Sequence, residues 1–149
     1  MAPIVLPARL RTISPLGAPT ARKRIEFGEQ MTNGPSGMAF KGLINGKPFE
    51  LGRIDLVSRL DEVELWEVAN PTDMDHPLHL HGTQFQVVER EQGGRTISVP
   101  GPTWKDTVNV VRGGIVRFLV RQDMPGLRLY HCHILEHEER GMMGTLNVR

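Results

Sequence analysis

The sequence predicts an all-β domain, a Greek-key β-sandwich or barrel with one short helix near the C-terminus. Three observations point to this. From Phe40 onward, short runs of alternating or β-branched character recur: FKGLING, DEVELWEVAN, HLHGTQFQVVER, TISV, DTVNVV, IVRFLVRQ, GLRLYHCH and GTLNV. Turn signals separate these runs, and the pairs Asn45-Gly46, Gly93-Gly94 and Gly113-Gly114 read as hairpin-like turns. Only one piece has helical character, Ile134 to Arg140, and Gly141 closes it.

Taken in order, residues 1–30 have no clean period. They carry Pro3, Pro7, Pro15 and Pro19 and then a basic cluster at Arg22, Lys23 and Arg24, which reads as a linker or an extended arm packed against something. Thr32 to Met38 is a turn-rich approach, so the domain itself is expected over 31–149. In the DEVELWEVAN run, Val63 and Leu65 alternate with Glu62, Glu64 and Glu67. Trp66 and Val68 interrupt that pattern, which suggests a strand covered on both faces. The chain has no internal repeat and no low-complexity tract.

A chain of 149 residues suits one domain of ordinary size. Its 18 basic and 17 acidic residues leave a formal charge of +1, which argues against a polyanion-binding surface and hence a nucleic-acid partner. No apolar run approaches the roughly 18 residues of a membrane span. The first residues, MAPIVLPARLRT, lack the charged start and long apolar core of a signal peptide, so an export signal is not expected within this chain. One cysteine excludes an internal disulfide and a cysteine-based zinc cage.

That cysteine lies between two histidines, in His131-Cys132-His133, with His137 and Met142 following. All six histidines fall in two clusters, DHPLHLHG and HCHILEH. Side chains alternate faces along a strand, so His131 and His133 share one face while Cys132 points the other way. His79 and His81 likewise share a face, and His76, three positions before His79, points opposite. Pairing the two strands gives two candidate metal sites. One gathers His76, Cys132, His137 and Met142, a thiolate, two imidazoles and a thioether that suit copper cycling between two oxidation states. The other gathers His79, His81, His131 and His133, imidazoles that alone suit copper, zinc, iron or nickel. His131 and His133 are covalent neighbours of Cys132, which gives an electron a short through-bond route between the sites.

Other chemistries fit less well. A cupin-like site would want a Glu three or four residues after the His-X-His pair, where Gln84, Phe85 and Gln86 stand. In a cysteine-nucleophile hydrolase a histidine must reach the thiol, and His131 and His133 point away from it. Zinc remains an alternative for HLHG taken alone.

At these residues the chain resembles the multicopper oxidase family, in particular bacterial laccases and copper-efflux oxidases. The motifs are HPLHLHG (76–82) and HCHILEHEERGMM (131–143), with further likeness in LINGKPFE, ELWEVANPTDMDHP and PTWKDTVNV. The resemblance covers roughly residues 30–149 and implies a cupredoxin fold, the C-terminal domain of that family; LPARL, residues 6–10, looks like the connector before it. It implies that His76, Cys132, His137 and Met142 bind a type 1 copper, with Met142 axial and a moderate potential. His79 would be a ligand of the type 2 copper, and His81, His131 and His133 of the binuclear type 3 pair. Glu138 matches an acidic residue that similar enzymes use to hand protons to dioxygen as it is reduced. Trp66 and Trp104 look like core or supporting residues, Met143 like core, and Met38 and Met124 are too scattered to suggest a substrate site. A periplasmic or secreted location would follow for the complete protein.

The chain departs from the family in one respect. Relatives complete the trinuclear cluster with two more His-X-His motifs from their first domain, and this chain has no other histidine. The resemblance therefore implies part of a laccase-like oxidase, which takes single electrons from a phenol, an aromatic amine or a low-valent metal ion and reduces dioxygen. Its partners would be N-terminal domains of the family. Two alternatives stand beside this: a one-domain electron carrier, against which the four spare histidines argue, and a symmetric pair of chains that rebuilds the cluster between copies.

Overall fold

The computed structural model describes residues 11–34 and 37–149, so LPARL lies outside the described residues. Twelve strands and one helix follow in order among the described residues. They are β1 (Ala21–Gly34), β2 (Gly37–Ile44), β3 (Leu56–Ser58), β4 (Val63–Asn70), β5 (His76–Leu80), β6 (Phe85–Gln92), β7 (Arg95–Ser98), β8 (Trp104–Lys105), β9 (Thr107–Val110), β10 (Gly114–Arg121), β11 (Gly126–Cys132), α1 (Leu135–Glu139) and β12 (Met143–Val148). One sheet has the order β2-β1-β4-β10-β6-β7 with β8 also on β6; the other has the order β3-β12-β11-β5-β9. Neither closes on itself, so the all-β expectation resolves as a sandwich and not a barrel. No described helix is long and apolar enough to cross a membrane.

The core lies between the sheets. Trp66 stacks on Phe118 at 5.8 Å and meets Tyr130 of the opposite sheet edge-on at 5.8 Å, while Phe85 stacks on Phe118 at 4.2 Å. In β4 the inward residues are Glu64, Trp66 and Val68. A fully buried carboxylate needs partners. Glu64 has them in Lys23 Nζ at 2.9 Å, the Ser58 hydroxyl at 2.9 Å and Trp66 Nε1–H at 2.8 Å.

Over residues 21–30, the expected linker or packed extended arm is instead a strand of the domain itself. β1 starts at Ala21 and runs parallel to β4, with Ile25 opposite Val68. Ile25 and Phe27 are buried, so residues 21–30 carry a half-buried strand and belong to the sandwich. The basic cluster that suggested a linker instead meets an acidic neighbour strand, Lys23 with Glu64 and Arg24 with Glu67. Before it, Ser14 and Leu16 are tied to the Gln86 side chain by two hydrogen bonds.

Two further expectations shift. The run HLHGTQFQVVER divides at Gly82, whose φ of +65° sends β5 and β6 into different sheets. Gly113-Gly114 likewise turns the chain from one sheet to the other, with no hairpin between β9 and β10. Asn45-Gly46 and Gly93-Gly94 do form two-residue turns, with all four residues at positive φ.

Candidate metal centre

The β5–β11 pair sets the geometry. His79 stands opposite His131 and Leu78 opposite Cys132, and the backbone N–H of His133 continues the ladder to Pro77 at 2.7 Å. His76, Leu78, Leu80, Tyr130 and Cys132 therefore face inward, while His79, His81 and His131 gather on the other side.

On the inner side, Cys132 Sγ is 3.5 Å from His76 Nδ1 and 3.8 Å from His137 Nδ1, and the two nitrogens are 3.2 Å apart. One ion with bonds of about 2.0 Å to nitrogen and about 2.3 Å to sulfur needs ligand atoms roughly 3.3–3.8 Å apart, so the triangle fits a metal. A ring of backbone hydrogen bonds holds the ligand loop: Cys132 N–H to Met142 O, Met142 N–H to His137 O, and His137 N–H to Ile134 O. Gly141, at φ +102°, closes that loop. Met142 is fully buried in the same cluster as Cys132.

The covering residues come from β1 and β2. Phe27 tilts against His76 at 5.1 Å, and Phe40 stacks on His137 at 4.8 Å. Gly42 permits the closest approach: a side chain there would begin 2.6 Å from Met142 Cβ. His76 Nε2 reaches Thr72 Oγ1 at 2.8 Å and Glu29 Oε1 at 3.2 Å.

Burial, then repulsion from His137, pushes the His76 imidazole down to about 4, against the pull of Asp75 and Asp73. Burial also lowers His137. It pushes the Cys132 thiol up to about 11, opposed by the backbone N–H of Ile134. Both imidazoles are thus kept neutral, and a metal that takes the thiolate releases its proton.

On the outer side, His79, His81 and His131 place ligand atoms within 4.8 Å of one another. His79 Nδ1 donates to the Asp106 carbonyl at 3.0 Å, with Thr107 Oγ1 at 2.9 Å. His131 Nδ1 donates to the Cys132 carbonyl at 2.9 Å and lies 3.2 Å from Glu138 Oε2. Each bond leaves Nε2 bare, and His131 Nε2 lies 2.8 Å from His81 Nε2. His133 sits beside the group, 5.5 Å from His79 between ring centres, without converging on it. Two open grooves flank this face, about 780 Å³ past His79 and about 770 Å³ past His81.

A sequence profile of the family described as multicopper oxidase matches residues 20–149. The chain belongs to the multicopper oxidase family. Copper is the metal that this family implies, and the thiolate with two imidazoles is the donor set that suits it. The multicopper oxidase of Staphylococcus epidermidis is 39% identical over 109 residues, covering 70% of this chain and 24% of that protein. The laccase of Bacillus subtilis is 32% identical over 107 residues, 60% of this chain and 21% of that protein. A solved multicopper oxidase from Campylobacter jejuni, a metallo-oxidase, superposes with a TM-score of 0.89 at 40% identity, over 99% of this chain and 34% of that one. The chain thus spans about a quarter of these curated relatives.

Sequence reasoning missed the residues that surround His76. Glu29 and Phe27 lie in the segment read as a linker. Asn70 and Thr72 sit just before His76, where the turn-like NPT offered the one available signal.

Proposed function

We propose that this chain is the electron-accepting domain of a laccase-like multicopper oxidase. His76, Cys132, His137 and Met142 serve a type 1 copper, His79 a type 2 copper, and His81, His131 and His133 the type 3 pair. The observation that carries this reading is the back-to-back placement of a thiolate site and an imidazole site on one strand pair. Bound copper would supply one-electron acceptance at the inner site and dioxygen reduction at the outer one.

The chain's own residues link the two. Cys132 is covalently joined to His131 and also accepts the N–H of that imidazole at its carbonyl, two short routes for an electron. Glu138 holds a carboxylate 3.2 Å from His131 Nδ1, positioned to hold or move a proton beside the outer site. The missing imidazoles come from other domains of a longer polypeptide, a source that the length of the relatives favours over a second copy of the chain. The apolar groove past His81, lined by Phe49, Ile54 and the well-exposed Leu51 and Leu127, suits such a neighbour. The donor is a phenol, an aromatic amine or a low-valent metal ion, and the complete protein works in the periplasm or outside the cell.

Oxygen uptake with a phenolic donor tests this. The copper-loaded chain, shown monomeric by sedimentation, is expected to consume almost no oxygen, while a polypeptide that adds the histidine-bearing domains consumes it steadily. Equal turnover by the isolated monomer would reject the proposal.

A further inference from the structure

The segment between β4 and β5 settles which nitrogen of His76 carries the proton. Asn70 is buried at the end of β4, and its side-chain nitrogen donates to the carbonyls of Met74 at 2.8 Å and Val110 at 2.9 Å. Its oxygen accepts the backbone N–H of Thr72 at 3.1 Å and the Thr72 hydroxyl at 2.7 Å. A carbonyl only accepts and a backbone N–H only donates, so the amide has one possible orientation. The Thr72 hydroxyl proton therefore points at Asn70, with the Met74 carbonyl 3.2 Å away, and the Thr72 oxygen faces His76 Nε2 as an acceptor. Glu29 Oε1 approaches the same nitrogen at 3.2 Å and has no other polar partner among the described residues. Two acceptors meet at Nε2, so the ring N–H belongs there. Nδ1, the atom that faces Cys132 and His137, is left as a bare lone pair.

We propose that Asn70, Thr72 and Glu29 are positioning residues of the copper centre, which lock His76 with its N–H on Nε2 and its Nδ1 lone pair toward the metal. Glu29 has a second effect. A carboxylate on the far side of the ring makes the imidazole a stronger donor, which favours the oxidised metal and holds the reduction potential down. His137 has a different support, the stacked Phe40 ring, so the two imidazole ligands are not equivalent. The effect on potential rests on the copper assignment above; the proton position does not.

Nitrogen-15 NMR of the metal-free chain reads the ring directly. Wild-type protein and Thr72→Ser are expected to show His76 as the Nε2–H form alone. The double variant Thr72→Val, Glu29→Leu removes both acceptors and should populate the Nδ1–H form, with copper affinity down about tenfold or more. If that variant does not fold, Thr72→Val alone is expected to show the same change in part. In Glu29→Gln the amide oxygen still accepts, so the ring form should stay while the midpoint potential of the copper-loaded chain rises. An Nδ1–H form in wild type, or an unaltered ring form and copper affinity in the folded variants that carry Thr72→Val, overturns the proposal. An unchanged midpoint in Glu29→Gln overturns the tuning role. A colourless copper complex with the expected ring forms would reject the copper assignment and uphold the positioning one.

Discussion

On the inner side of the β5–β11 pair, three ligand atoms close on one another beneath Phe27, Phe40 and the 132–142 loop. On the outer side, His79 and His81 line grooves open to solvent, while the third imidazole of that group, His131, is buried. Both sides use residues of the same two strands, so the strands alone do not make a site complete. Cover does: β1, β2 and the C-terminal loop supply it inside, whereas outside His81 is exposed and His79 is only partly buried. An enclosed site can fix its ligands within one chain, whereas an open one suits ligands brought by a neighbour.

Acid should break the inner side first. His76 titrates near 6.5 when unfolded and at about 4 when folded. Between those values the unfolded chain binds more protons, so metal-free stability is full above about pH 6.5 and falls as pH drops toward 4. The loss is on the order of 3 kcal/mol, with His137 acting in the same direction. Urea melts at pH 7 and pH 4.5 measure it, and equal midpoints would mean that the enclosure does not set the His76 proton.

A smaller effect separates cover from ligands. Gly42→Ala places a methyl group 2.6 Å from Met142 Cβ and 3.1 Å from the His137 carbonyl. Thermal melting should show a cost of about 1–3 kcal/mol together with weaker copper binding. Gly28→Ala, one strand away, meets Leu43 at 3.5 Å and should be nearly silent. A silent Gly42→Ala would remove the argument that β2 presses on the ligand loop.

On the outer side, His133→Ala should leave stability within about 0.5 kcal/mol, because the residue is exposed. His79→Ala should also leave the fold intact while zinc binding at that face falls at least about tenfold. Calorimetric titration with zinc distinguishes them. A large loss of zinc affinity with His133→Ala would show that the outer group is already closed without a neighbour.

The division into two sides was legible in the sequence because it rests on strand parity alone. His131-Cys132-His133 must alternate wherever a strand runs through it, and the three-residue step from His76 to His79 must change face. The helix after His133 was legible from Gly141. β1 was not, because Arg22, Lys23, Arg24 and four prolines outweighed a single alternation through Ile25 and Phe27; the answering charges, Glu64 and Glu67, lie about forty residues away in the chain. For the same reason Glu29 escaped notice. Its meaning depends on β1 lying over His76, a long-range pairing that local pattern does not carry. Asn70 and Thr72 carry no local pattern that points to His76, and their hydrogen-bond directions appear only once Val110 of the opposite sheet is in place.

The central claim, one complete copper site and one open one in a single chain, is tested most directly by visible absorption with copper quantitation on the copper-loaded chain. The expected result is an intense blue band from thiolate-to-copper charge transfer at one tightly held copper per chain, abolished in Cys132→Ser. A colourless complex, or a band that survives Cys132→Ser, would contradict it.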